Sequence, residues 1–214
     1  MPNSRCNGLT DLGVLHRLDR RVGGVRAGSA SGIYALGPAG QWLAARDDGA
    51  RRRRPSEPGL PYVAHTLAIS ELRILFEEAD RSGAFRLLDF EAEPECWRTF
   101  FGSGGARLRL KPDAFVRVAR GEVEELAFVE VDLGTESTTA LKTKFRAYRS
   151  YWSAGREQAR WDGTFPRVLF LAPNARRLGK LIDVAASQPP ESWKIFSVRL
   201  YDEAVATFSE RVDS

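Results

Sequence analysis

Carboxylates stand where a buried strand should carry apolar side chains, and that conflict limits what this chain can fold into. In ELAFVEVDLGTES, strand alternation puts Phe128, Glu130 and Asp132 on one face and Ala127, Val129, Val131 and Leu133 on the other. In LRLKPDAFVRV, Lys111, Asp113, Phe115 and Arg117 alternate against Leu110, Ala114, Val116 and Val118. Burying unpaired carboxylates is costly, so three of them converging on a sheet require a compensating charge. A hard divalent cation, Mg²⁺ or Mn²⁺, held by Asp113, Glu130 and Asp132 would supply it. No Cys or His joins these acids, which argues against zinc.

The 214 residues suffice for one large or two small domains, and 43% apolar with 28% charged residues describes a soluble globular chain. No apolar run reaches the length of a membrane span and no apolar leader follows Met1, so a cytoplasmic protein with no membrane partner is expected. Cys6 and Cys96 stand far apart, and His16 and His65 lack ligand spacing; all four read as structural or surface residues. Charge is uneven. Residues 1–57 carry ten Arg and five acids, a net +5, while the remainder is −1. A basic end points to a polyanion partner, with nucleic acid first.

Residues 1–50 read as two strands around a Gly/Ser turn followed by a short helix. Leu15 and Leu18 precede Gly23 and Gly24, Ile33, Tyr34 and Leu36 follow, and Pro38 opens a helix carrying Trp42 and Leu43. This is the pattern of the wing and closing helix of a winged helix-turn-helix. About nine residues precede Thr10, too few for two compact helices, so its DNA-reading half is expected to be short or absent. Residues 51–60 read as a basic linker. Arg51, Arg52, Arg53 and Arg54 form either a solvated tether or a phosphate-contacting arm, and Arg20, Arg21 and Arg26 are further candidate DNA contacts. Residues 61–214 then follow the order α-β-β-β-α-β-α-β: a helix at 62–82, strands at 85–91, 108–118 and 126–133, a helix at 137–154, a strand at 167–172, a helix at 174–187 and a strand at 194–200. A mixed sheet with helices on both faces is the natural packing. In the first helix Val63, Leu67, Ile74 and Leu75 recur at helical spacing, which places Glu71 on or beside the inward face.

That order, with Glu71 on the first helix, Pro112-Asp113 on the second strand and Glu130-Val131-Asp132 on the third, resembles the PD-(D/E)XK nuclease-like fold. The resemblance implies a metal where Asp113 and Glu130 converge. The chain departs from the motif where Asp132 replaces its lysine, and two amines could substitute. Lys144 and Tyr148 lie one helical turn apart, similar to the QxxxY element of RecB-like nucleases; Lys111 is the rival, sharing a strand face with Asp113. The longer string FVEVDLGTES…LKTKFRAY, behind PDA and a winged-helix remnant, resembles the replication-relaxation family of plasmid-associated proteins. That resemblance implies bacterial origin, contact with plasmid or mobile-element DNA, and a role in plasmid replication and DNA relaxation alongside replication proteins.

Alternatives stay open at each acid. Asp113 either ligates metal or ends a strand after Pro112. Glu130 either ligates metal or pairs with Arg117 or Lys144. Asp132 either ligates metal or caps the turn before the helix started by Thr135 or Ser137. Tyr148 belongs to an apolar stripe with Leu141, Phe145 and Trp152, its hydroxyl a polar handle. Two functions compete: a metal-dependent DNA phosphodiesterase that nicks DNA, and a DNA-binding accessory protein that keeps the fold without the chemistry. Replacing Arg51, Arg52, Arg53 and Arg54 with Gln should lower the salt dependence of DNA affinity, by up to about 3 to 4 in the log–log slope. An unchanged slope in a salt titration would show that the run is a tether.

Overall fold

The computed structural model describes residues 2–18, 32–48 and 60–209. The chain divides into two compact units, residues 1–66 and 67–214. In the first, helix α1 (Pro2–Asp11) leads into strand β1 (Leu15–Leu18), which pairs antiparallel with β2 (Ile33–Leu36) in the register Leu15 to Leu36. Helix α2 (Pro38–Asp48) follows, with Pro38 at its first position, where the missing N–H leaves nothing unpaired. A hairpin and closing helix are therefore present behind a single leading helix. Arg20, Arg21, Arg26, Arg51, Arg52, Arg53 and Arg54 lie outside the described residues.

The second unit is built on a five-stranded mixed sheet. After helix α3 (Leu60–Arg81) come β3 (Arg86–Ala92), β4 (Arg98–Phe101), β5 (Arg107–Leu110), β6 (Ala114–Arg120) and β7 (Val123–Val131). Helices α4 (Thr138–Ser153) and α5 (Arg156–Arg160), strand β8 (Arg167–Ala172), helix α6 (Ala175–Ala186), strand β9 (Phe196–Leu200) and helix α7 (Ala206–Ser209) complete it. The sheet order is β3-β6-β7-β8-β9, antiparallel through β7 and parallel beyond, so β7 is its middle strand. The parallel pairs require crossovers, which α4 and α6 supply.

Pattern explains the layers. On one face Ala114, Val116, Val118, Ala127, Val129 and Val131 pack under Ile69, Leu72, Phe76 and Ala79 of α3 and Phe208 of α7. On the other, Phe115, Phe128, Val168 and Phe170 pack under Leu141, Phe145, Tyr148 and Tyr151 of α4 and Leu181 and Val184 of α6. Both faces are thus covered, which is why β8 reads as an unbroken apolar run. Among the described residues no helix is long and apolar enough to cross a membrane.

Three expectations are corrected. The single strand at 108–118 is two strands in different sheets: β5 pairs with β4 in a separate hairpin, and β6 enters the main sheet. Pro112 separates them; it has no N–H for a ladder, and its carbonyl accepts from the Cys96 thiol at 3.0 Å. The inward face of α3 carries Ile69, Leu72, Phe76 and Ala79, whereas Leu67 and Ile74 are exposed, so the helical stripe is rotated from the one first read. On α4 the fourth buried position is Tyr151, not Trp152, whose ring instead faces the Lys194 ammonium at 5.2 Å.

Candidate active site

A tight turn sets the register on which the site depends. Strands β6 and β7 join through Gly121 and Glu122, and Gly121 takes the positive φ (61°) that such a turn needs. Arg120 then pairs with Val123 and Ala114 with Val129, which brings Asp113 alongside Glu130. The Asp113 amide donates to the Val129 carbonyl at 3.1 Å, and its carboxylate Oδ2 accepts from the Val131 amide at 2.7 Å. Glu130 shares the α4 side of the sheet with Phe128, and 1% of it is exposed.

Helix α4 delivers the counter-charge. Ser137 caps it, accepting from the Ala140 amide at 3.1 Å, and Leu141, Phe145, Tyr148 and Tyr151 fix its rotation. That rotation points Tyr148 and Lys144 at Glu130. The Tyr148 hydroxyl donates to Glu130 Oε1 at 2.5 Å, and the Lys144 ammonium lies 2.7 Å from Oε2 and 2.9 Å from Glu136 Oε1. The Lys144 ammonium is thus the partner of Oε2, an oxygen that is itself buried.

Burial pushes the Glu130 carboxyl up to about 7, against the opposing pull of Lys144, and the Asp113 charge pushes the same way as burial. For Lys144, burial favours the neutral amine, but Glu130 and Asp113 outweigh it and hold the ammonium well above its ordinary range. Tyr148 is raised by burial and by Glu130, so it stays a neutral donor. These groups border an open cleft of about 570 Å³, lined on one side by Arg109, Leu110 and Lys111 and on the other by Thr143, Lys144 and Tyr148.

The structure gathers Asp113, Glu130, Lys144 and Tyr148, sets Lys111 at the edge of their cleft, and leaves Asp132 and Glu71 elsewhere. Asp132 is buried, but its Oδ1 accepts from the Gly134 amide at 2.6 Å and its Oδ2 meets Arg177 of α6 at 2.6 Å. Its place in the chain is that of a turn cap and ion-pair partner. Glu71 is exposed on α3, the helix that covers the opposite face of the sheet, where its charge acts on Tyr201. Lys111 lines the cleft, with its ammonium 4.6 Å from the centre of the Trp97 ring. Sequence reasoning missed Glu136 and Arg177. Glu136 stands eight residues before Lys144, and nothing local announces that they meet; Arg177 is 45 residues from Asp132.

Among the described residues no three acidic, His or Cys side chains group to hold a metal ion. What remains is a smaller donor set of two carboxylates, Asp113 and Glu130, whose Oδ2 and Oε2 meet the Val131 amide and the Lys144 ammonium. Mg²⁺ is commonly held by one or two carboxylates and completed by water and substrate phosphate.

A mixed α/β sheet with a buried acid–lysine–tyrosine cluster at a basic cleft is the class of protein that these observations define. The family model described as replication-relaxation matches residues 3–168, and the chain belongs to that family. Membership associates it with plasmid replication and relaxation. No curated protein and no solved structure matches it.

Glu130 makes stability depend on pH. Its folded value of about 7 exceeds the ordinary 4.5 of the unfolded chain, so the native state binds the proton more tightly. Its contribution is fully present below pH 4.5 and falls as pH rises towards 7, by about 3 kcal/mol. Urea unfolding at pH 5 and pH 8 should show that Glu130→Gln removes this fall. Equal pH dependence in the wild type and the variant would contradict the assignment.

Proposed function

We propose that this chain acts on DNA during plasmid replication and relaxation as a metal-dependent phosphodiesterase that nicks one strand. The observation that carries the reading is the Lys144 ammonium 2.7 Å from the buried Glu130 carboxylate, at a cleft that also presents Arg109 and Lys111. A lysine brought from the following helix restores the positive charge that Asp132 removes from the strand.

Asp113 and Glu130 would hold Mg²⁺ or Mn²⁺, which when bound supplies a polarised water and neutralises phosphate charge. Lys144 remains protonated, so it suits the stabilisation of charge on a phosphate oxygen and cannot serve as a general base. Tyr148 holds Glu130 Oε1 and leaves Oε2 to Lys144. Arg109 and Lys111 offer charge to a phosphate backbone entering from the open side.

A second reading has its own support. With Asp132 tied to Arg177 and Gly134, two carboxylates remain where three were expected, and the Glu130–Lys144–Tyr148 cluster is self-sufficient as a structural ion pair. On that reading the protein binds DNA or a replication partner without cutting.

Nicking of supercoiled plasmid in Mn²⁺ separates the two. Wild type should produce open circles, and Lys144→Ala and Glu130→Gln should each lose activity by about 100-fold or more. Lys144→Ala should keep its DNA affinity, and Lys111→Ala should lose less activity. If purified wild type never nicks or relaxes plasmid, the enzyme reading fails and the accessory-protein reading stands.

A further inference from the structure

The hairpin of β4 and β5 lies outside the main sheet and runs beside α4, and the groove along their seam holds two separate depressions. One is the cleft bordered by Glu130. The other is a depression of about 460 Å³ lined by Phe101, Gly102 and Ser103 of the hairpin and by Arg146, Arg149 and Ser150 of α4. Residues 98–111 and 138–153, which form its two walls, contain eight Lys and Arg and no Asp or Glu.

Two of those eight are neutralised in place: Arg98 by Glu91 and Glu157, and Lys144 by Glu130 and Glu136. The other six, Arg107, Arg109, Lys111, Lys142, Arg146 and Arg149, form no ion pair with a described residue. Lys142, Arg146 and Arg149 recur at helical spacing on α4, while Arg107, Arg109 and Lys111 recur with the two-residue period of an extended chain. Arg146 and Arg149 line the depression beside Phe101, Arg109 and Lys111 line the cleft beside Glu130, and Arg107 shares the exposed face of the hairpin with Phe101 and Arg109; a surface so rich in cations attracts a polyanion rather than another protein surface.

The groove also contains an aromatic group with no core to enter. Phe101 is 59% exposed at the end of β4, beside Arg146 and Arg149. The turn that follows, Gly102-Ser103-Gly104-Gly105, adds no bulk around it, and Gly105 needs the freedom of glycine for its φ of 75°. In a duplex the base faces are hidden in the stack. An exposed ring between phosphate-binding cations finds its partner in an unpaired base.

We propose that the groove between the β4–β5 hairpin and α4 binds single-stranded DNA. Arg146 and Arg149 with Arg107 and Arg109 contact the backbone, and Phe101 stacks on a base. This rests on the reading that the protein acts on DNA and deepens it by naming the surface and the strand form. Single-stranded DNA held there would lead directly to Glu130 and Lys144.

Fluorescence anisotropy of the full chain with labelled oligothymidylate of about 20 nucleotides, and with a duplex of equal length, tests the proposal. Wild type should prefer the single strand. Phe101→Ala should weaken single-strand binding about tenfold and change duplex binding less than about twofold. Arg146→Gln with Arg149→Gln should weaken binding and lower the salt slope by about 1.4. Phe101 and Arg146 are exposed, and thermal unfolding of each variant confirms that the fold is kept. If wild type binds the single strand and both variants match it, the groove assignment is overturned while the DNA reading survives. A duplex preference that Phe101→Ala leaves unchanged also overturns it. If wild type binds neither probe at low salt, the DNA reading falls and this inference falls with it.

Discussion

A carboxylate on the middle strand of a five-stranded sheet, with 1% of its surface exposed, is the constraint around which the second unit is arranged. Glu130 is sustained by a hydroxyl on one oxygen and an ammonium near the other, and both come from a single helix. A buried pair of this kind adds little net stability, because desolvation consumes most of the Coulombic gain. Breaking it is different: without Lys144 the buried Glu130 carboxyl loses the charge that opposes its protonation and takes up a proton. The pair therefore fixes α4 in one rotation more than it strengthens the fold. A shift of one residue between β6 and β7 would send Glu130 to the face covered by α3, away from Lys144, so the Gly121 turn, the register and the ion pair stand together.

Much of this was legible in the sequence because it depends on local period. Alternation through 126–133 identified β7 and put Glu130 on the same face as Phe128, and the spacing from Lys144 to Tyr148 placed both on one side of α4. The run at 167–172 matched β8, and the helix expected at 174–187 is α6. What was not legible depends on partners distant in the chain. The pairing of Asp132 with Arg177 needs the β8–α6 connection to bring them together, and no periodic signal carries it. Glu71 looked inward because Leu67 and Ile74 suggested the wrong stripe; the true stripe was set by the core beneath, through Leu72 and Phe76. The hairpin of β4 and β5 was partly hidden because its second strand and β6 read as one alternating run, divided only by Pro112.

The hairpin alters the meaning of the site. Without it Glu130 would lie beside an open helix; with it, the cluster borders a cleft that Arg109 and Lys111 also line, and neither forms an ion pair with a described residue. A self-sufficient structural ion pair has no need of such a groove. Both readings account for the cations; the accessory-protein reading takes the amine as the structural partner of the buried acid, and the phosphodiesterase reading gives it a part in the chemistry. Family membership is compatible with each, since it suggests a role in replication and relaxation and not the chemistry.

The most direct measurement asks whether Asp113 and Glu130 act as one cation site. Thermal unfolding at increasing Mn²⁺ should show a concentration-dependent rise in Tm for the wild type. Asp113→Asn retains an oxygen to accept from the Val131 amide while removing the charge, and it should abolish the rise. Asp132→Asn, which alters the ion pair with Arg177, should lower the baseline Tm but preserve the response to Mn²⁺. The same Mn²⁺ response in the wild type and in Asp113→Asn would contradict the site.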